Sequence, residues 1–241
     1  MLVADWVFDR LYDERQPSYY EISAAIRLGK KYKIPELHDQ SLDYLKRHFP
    51  STFDDWMDLH RYGPPDWDDF EEIGVVNLAR LTGELSILPA AIIACICGQS
   101  VGPGGSGIGH GFAREDGSRE HLSADDVTVC FDGKTNLRTA TIAAVLRTFK
   151  PAVSEECKTR PACENALRGV LLNLEGTLDV LLGGDPFAEY EEFVDSDEHP
   201  DGLGVCGACT DMVRKRSFKE RKDVWDRLPE LLDVDVPGWR K

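Results

Sequence analysis

Residues 20–49, YEISAAIRLGKKYKIPELHDQSLDYLKRHF, decide how this chain is read. They scan as two short amphipathic helices, broken at Ile34-Pro35 and stopped at Pro50. In the first, Ile22, Ile26, Gly29 and Lys33 recur at helical spacing, and Ala25 and Leu28 widen the stripe toward one apolar face. Pro35 suits the first turn of the second, where its fixed φ is already helical and its missing N–H is not needed. Leu37, Leu42, Leu45 and Phe49 then give that helix a buried side, while Glu36, Asp39, Asp43, Lys46 and Arg47 stay in water. Nothing in this pair resembles an active site.

The wording of the segment goes further than its periodicity. RLGKKYKIPELHDQSLDYLKRHFP resembles the closing helix pair of a BTB/POZ domain, as found in a large family of fungal BTB-domain proteins. IGVVNLARLTGELSILPAAI, GFAREDGSREHLSADDV and CFDGKTNLR are similar to the helical region that follows in that family. CKTRPACENALR, GVCGACTDMVRKR, VWDRLPELLDV and PGW continue the likeness to the C-terminus. The resemblance implies a mainly α protein, a helical array that begins with the closing pair and continues as a helical extension. It implies protein–protein interaction as adaptor or scaffold, without an assigned reaction. It also implies docking onto a cullin-type ubiquitin ligase. A complete BTB domain carries a mixed strand-and-helix body before its closing pair, however, and here Met1 to Tyr19 precede it. The sheet is therefore expected to be missing, and with it most of the surface for dimerisation and cullin docking. MLVADWVFDRLYDE reads as one more helix, with Val3, Val7, Phe8 and Leu11 facing inward.

The resemblance implies three stretches: 1–50 as a truncated C-terminal part of a BTB domain, 51–150 as a helical extension with a glycine-rich loop, and 151–241 as a cysteine-containing helical region; the breakers place the helices within them. Gly63-Pro64-Pro65 ends a helix begun near Thr52, and Asp66 is placed to cap the next, in which Phe70, Ile73, Asn77, Leu78 and Leu81 track one face as far as Gly83. Pro89 opens a fully apolar helix. VGPGGSGIGHG, 101–111, is a loop, because each glycine loses much backbone freedom on ordering. Gly111 to His121 is either a short hairpin or irregular. Ser123 with Asp126 forms a capping-box variant that starts a helix through Cys130, and Lys134 to Phe149 forms another. A long helix is expected from Pro161 to Leu182, stopped by Gly183-Gly184, and 185–205 is an acidic connection anchored by Phe187, Tyr190 and Phe193. Trp56, Trp67, Trp225 and Trp239 are expected to be packing anchors.

Composition excludes several functions. The chain has 241 residues, 42% of them hydrophobic and 29% charged, enough for a sizeable core. A net charge of -15 opposes a broad grip on nucleic-acid backbones or anionic membranes. The longest apolar run, Ile87 to Cys97, falls well short of the ~20 residues that span a bilayer. The first ten residues contain Asp5 and Asp9 and no basic start, so a cytoplasmic or nuclear address is expected. The local exception is MVRKRSFKERKDVW, where Arg214, Lys215, Arg216, Lys219, Arg221 and Lys222 crowd together. It reads either as a nuclear address or nucleic-acid patch, serving a zinc-stabilised nuclear regulator, or as the solvated side of a helix marked by Met212, Val213, Arg216, Glu220 and Val224.

Two phosphate-binding look-alikes fail. Gly133-Lys134-Thr135 lacks its leading glycine, since Thr128 stands there, and the glycines at 105, 107, 109 and 111 follow a helix rather than a strand. The histidines at 38, 48, 60, 110, 121 and 199 sit in no catalytic motif, and neighbouring carboxylates such as Glu71-Glu72 face different ways on a helix, so no enzyme is expected.

The cysteines hold the remaining chemistry. Seven thiols without a secretory signal do not suggest a disulfide framework. Cys95, Cys97 and Cys130 lie in apolar helical settings and read as small hydrophobes. Cys206-Gly207-Ala208-Cys209 has the spacing of a metal knuckle, and Cys157 and Cys163 form a second, wider pair with five residues between them. If the chain returns as a hairpin, Cys157, Cys163, Cys206 and Cys209 meet and give a tetrahedral structural zinc site. Four packed thiols and a redox pair are the alternatives.

Overall fold

The computed structural model describes residues 16–59, 61–68, 70–97, 107–174, 186–190 and 204–239. The expected N-terminal helix, most of the glycine-rich loop, the end of the long helix beyond Leu174, Phe193, His60 and His199 lie outside them. The described chain is mainly helical, as the sequence implies, and its single sheet is a two-stranded hairpin. It divides into two compact units: residues up to Gly133 together with those from Leu232 onward, and Lys134–Leu231.

The first unit opens on the helix pair. Helix α1, Tyr19–Tyr32, starts at a complete capping box: the Ser18 hydroxyl accepts from the Glu21 N–H, and the Glu21 carboxylate accepts from the Ser18 N–H at 2.9 Å. It ends at Lys33, whose left-handed φ of 56° turns the chain so that the Ile34 N–H reaches Gly29 O. Helix α2, Pro35–His48, begins on Pro35 and buries Leu37, Leu42 and Leu45, with Phe49 just beyond. On α1, Ile22, Ala25, Ile26 and Gly29 are buried, but Leu28 is 46% exposed and Lys33 lies in water. The apolar stripe is therefore narrower than the sequence suggests, because the partner helix covers only the face centred on Ile22 and Ile26. Gly29 sets the distance between the two helices. A Cβ there would lie 2.8 Å from His38 N, a backbone atom that cannot swing aside.

A short helix α3, Phe53–Leu59, buries Phe53 and Trp56, and its first turn is tied by the Asp55 N–H to the Thr52 hydroxyl at 3.2 Å. Helix α4, Glu72–Thr82, starts later than expected. Asp66 does not cap it, because Phe70 adopts a positive φ of 76° to place its ring in the core and so interrupts the chain between the two positions. Helix α5, Leu88–Cys97, is buried from Leu88 to Ile96, as a helix apolar on every side must be. Strands β1, Phe112–Ala113, and β2, Arg119–Glu120, settle the open alternative as a hairpin. Trp67 bridges the cluster: its indole donates to Pro17 O at 3.0 Å, and its ring lies 5.5 Å from Tyr19, edge to face.

Helix α6, Ala124–Thr148, runs unbroken where two helices are expected. Ser123 caps it as read, accepting from the Asp126 N–H at 3.0 Å. Gly133 is not a stop but a point of close approach, since a Cβ there would come within 2.6 Å of Leu232 Cδ2.

Glu71 is a buried carboxylate just before α4. Burial pushes its pKa up to about 7, and the neighbouring acids Asp68, Glu72 and Glu115 add to the rise, against the Asp68 N–H that it accepts. A carboxyl raised in the fold costs nothing while protonated in both states. The penalty begins above the ordinary value of 4.5, grows to pH 7, and is complete beyond. Glu71→Gln keeps the bond from Asp68 and removes the charge, so it is expected to stabilise the unit at pH 8 by roughly 2–3 kcal/mol and to be nearly neutral at pH 4. Urea midpoints at the two pH values test this, and an equal shift at both would contradict it.

In the second unit, the latter part of α6 is joined by three helices among the described residues. Helix α7, Arg160–Asn173, buries Cys163, Leu167 and Val170. Helix α8, Gly207–Asp226, buries Cys209, Val213, Ser217, Arg221, Val224 and Trp225. Helix α9, Leu228–Leu231, closes the unit, with Asn136 on α6 donating to Leu231 O. Phe187 and Tyr190 are buried as the expected anchors. The Phe187 ring stands 5.2 Å from Trp225.

Candidate metal centre

The elements of the second unit bring the four cysteines together. Cys157 lies in a turn closed by its own N–H on Ser154 O, and the Arg160 guanidinium holds that turn through Ser154 O and Glu155 O. Cys163 follows one turn into α7, and its N–H makes the first helical bond, to Thr159 O. Cys206 is the N-cap of α8. Serine or aspartate at such a position would turn its oxygen onto the helix, but the Cys206 side chain makes no cap bond and its sulfur is left for the cluster. Cys209, one turn on, is fully covered.

All four Sγ atoms lie within 4.8 Å of one another, and Cys206 Sγ stands 3.7 Å from Cys157 Sγ. Four sulfurs at the ~2.3 Å zinc–sulfur distance define a tetrahedron with edges of about 3.8 Å, so a small contraction would seat an ion. Val153 and Val205 pack against the group.

The electrostatics also suit thiolates. The first turns of α7 and α8 both meet the cluster, and the positive ends of helices favour negative sulfur. The Thr159 hydroxyl, at 3.3 Å, and the Cys206 N–H, also at 3.3 Å, both reach Cys163 Sγ and bring its pKa down to about 7. Cys209 is pushed the other way, up to about 12, chiefly by burial. The group is therefore a cluster that can hold a metal ion, with one sulfur prepared as an anion and another that must surrender its proton to the ion.

The other cysteines stand apart. Cys95 and Cys130 are buried small hydrophobes, with burial raising both thiols and Cys130 to about 12, while Cys97 is half-buried.

The basic segment 214–222 lies on α8. Arg214 and Lys215 are exposed, Arg216 donates to Lys150 O, Lys219 pairs with Asp223, and Lys222 with Asp226. Arg221 departs from a wholly solvated reading: it is 3% exposed, with Nη1 donating to Phe187 O at 3.0 Å. It falls on the same side of α8 as Ser217 and Val224, where its charge anchors the segment carrying Phe187.

Sequence reasoning missed one polar centre, in the first unit. Glu120 accepts from Tyr19 Oη at 2.8 Å, Arg114 Nη1 at 3.0 Å, Asn77 Nδ2 at 3.1 Å and Arg27 Nη2 at 3.2 Å. Its only signal was an acidic residue at a strand position beside an exposed one.

Among the described residues no helix is long and apolar enough to cross a membrane. No family model, curated protein or solved structure matches the chain.

Proposed function

We propose that the chain is a non-enzymatic interaction protein, a BTB-type adaptor or scaffold, whose second unit is organised by structural zinc on Cys157, Cys163, Cys206 and Cys209. The observation that carries the metal part is the convergence of four Sγ atoms within 4.8 Å from two separate sequence pairs. A set of four cysteines fills the tetrahedron and leaves no position for water or substrate, which is the arrangement of a site that builds structure rather than one that turns over. The binding part rests on the resemblance read in the sequence, whose closing helix pair corresponds to the residues of α1 and α2. Its partners are proteins of the cytoplasm or nucleus, where thiols stay reduced. Docking onto a cullin-type ligase would need a surface beyond this helix pair.

A second reading makes the protein a zinc-stabilised nuclear regulator. Arg214 and Lys215 favour it, exposed on the helix that the metal site would start. Metal analysis of protein purified without chelator tests the zinc, with about one equivalent expected and less than roughly a tenth ending the idea. Affinity capture from native cells tests the adaptor, and no recurrent protein partner would count against it. Nuclear accumulation of a fluorescent fusion, lost when Arg214 and Lys215 are neutralised, would favour the second reading.

A further inference from the structure

We infer that the cysteine centre is a redox-gated zinc store: peroxide oxidises Cys206 and Cys157 to a disulfide and releases the ion, while the elements that the ion joined stay joined. This rests on the zinc reading and adds its regulation.

The inference comes from the unequal exposure and spacing of the sulfurs. Cys157, Cys163 and Cys209 are 6%, 1% and 0% exposed, whereas Cys206 is half-buried. An oxidant arriving from water therefore meets Cys206 first. The sulfur 3.7 Å away is that of Cys157, which needs to close by less than 2 Å to reach the ~2.05 Å of a disulfide. Both partners sit outside regular helix, one in the turn before α7 and the other at the N-cap of α8, so neither helix need be broken for the sulfurs to meet. Cys163 is differently held, one turn inside α7 with its sulfur accepting from Thr159 and the Cys206 N–H. Cys209 is one turn inside α8.

The chemistry balances with hydrogen peroxide as the two-electron oxidant. The Cys206 thiolate attacks one peroxide oxygen, the O–O bond breaks, and hydroxide leaves and is protonated to water, giving the sulfenic acid. The Cys157 thiolate attacks that sulfur, an S–S bond forms, the S–O bond breaks, and the oxygen departs as a second water after taking up a proton. Two thiolates and one peroxide, with two protons, have become one disulfide and two waters. Only Cys163 and Cys209 then remain as ligands. Two ligands do not complete the four-coordinate shell of a structural zinc, and the ion passes to solvent. The new bond links the same turn and the same helix start that the ion linked, so the unit gives up zinc without coming apart. A cellular thiol attacks the disulfide, freeing one cysteine and forming a mixed disulfide with the other; a second thiol attacks that bond, frees the remaining cysteine and leaves the two cellular thiols joined, and the site is restored.

The test uses the full chain carrying Cys95→Ser, Cys97→Ser and Cys130→Ser, which removes the thiols outside the centre. Its zinc content is measured first, because protein that holds no zinc and takes none up refutes the zinc reading itself and the store with it. Zinc-loaded protein is then treated with a few equivalents of hydrogen peroxide in the presence of a colorimetric zinc indicator, and its disulfides are mapped by mass spectrometry. The expected result is about one equivalent of zinc released, one Cys157–Cys206 disulfide, far-UV helicity largely kept, and zinc taken up again after dithiothreitol. Retention of zinc under these conditions overturns the inference and leaves structural zinc standing. So does a Cys206–Cys209 or Cys163–Cys209 disulfide, or release by sulfinic acid formation that dithiothreitol does not reverse.

Discussion

Cys209→Ser is expected to abolish stoichiometric zinc binding and to melt the second unit from the start of α8, while Cys130→Ser leaves the metal in place. Both cysteines are fully covered and both thiols are pushed up to about 12 by burial, so the two substitutions disturb packing to a similar degree. They differ in the unit that carries them and in what surrounds the sulfur. Cys130 has Asp126 and the single thiol of Cys95 nearby, whereas Cys209 Sγ lies within 4.8 Å of three other sulfurs. A structural zinc site contributes an apparent ~10–16 kcal/mol near neutral pH, as much as the whole folding free energy of an ordinary domain, ~5–15 kcal/mol. Loss of one of four ligands, with no disulfide to rejoin the turn before α7 to the start of α8, therefore decides whether the unit folds. Because Cys209 must lose its proton to bind, zinc affinity is expected to fall as the pH is lowered from 8 to 6, with a proton released on binding. Zinc content, hydrogen exchange over 207–226 and melting with and without chelator check these outcomes. A Cys209→Ser protein that melts like the Cys130→Ser control, or wild type indifferent to chelator, would remove the metal from the account of this fold.

The centre was legible in the sequence to an unusual degree for the reason that it is local. Cys206 and Cys209 are one helical turn apart, and the Cys157–Cys163 pair is a turn followed by a helix start, so each pair is set by short-range geometry. Only the meeting of the pairs required a guess about the chain's return. The α1–α2 hairpin was legible too, because apolar periodicity reports a buried face. Periodicity does not report how wide the partner is, and Leu28 was misjudged on that account. Gly133 shows the same limit: a glycine between two apolar stretches looks like a stop, and only Leu232, about a hundred residues on, explains why a glycine stands there inside a continuous helix. Arg221 and Glu120 were invisible because a charged residue reads as solvated unless its partners are known. Their partners lie 34 residues away for Arg221 and up to 101 away for Glu120.

Glu120→Ala is expected to destabilise the first unit by about 2–4 kcal/mol, chiefly the cost of taking the acceptor from a buried donor. The carboxylate is 7% exposed and accepts four side-chain donors, two from α1, one from α4 and one from the hairpin that carries it. Two of those donors are cations, and they contribute unequally to the cost. Arg27 is 42% exposed at its side chain, so water can replace the carboxylate there and its pair contributes little alone. Tyr19 is fully buried, its hydroxyl has no access to water, and its pKa is raised well above the ordinary value by burial and then by the Glu120 charge. Removing Glu120 takes from that hydroxyl its carboxylate acceptor inside the core and leaves only the Ser23 hydroxyl beside it. Tyr19→Phe removes the donor instead, leaves Glu120 its other three partners, and is expected to cost only about 1–2 kcal/mol. In the double variant the two costs should not add, because the orphaned hydroxyl that makes Glu120→Ala severe is already gone. Denaturant unfolding of the four proteins measures the coupling. Strict additivity, or a Glu120→Ala loss below about 1 kcal/mol, would reduce this centre to a surface ion pair that happens to be covered.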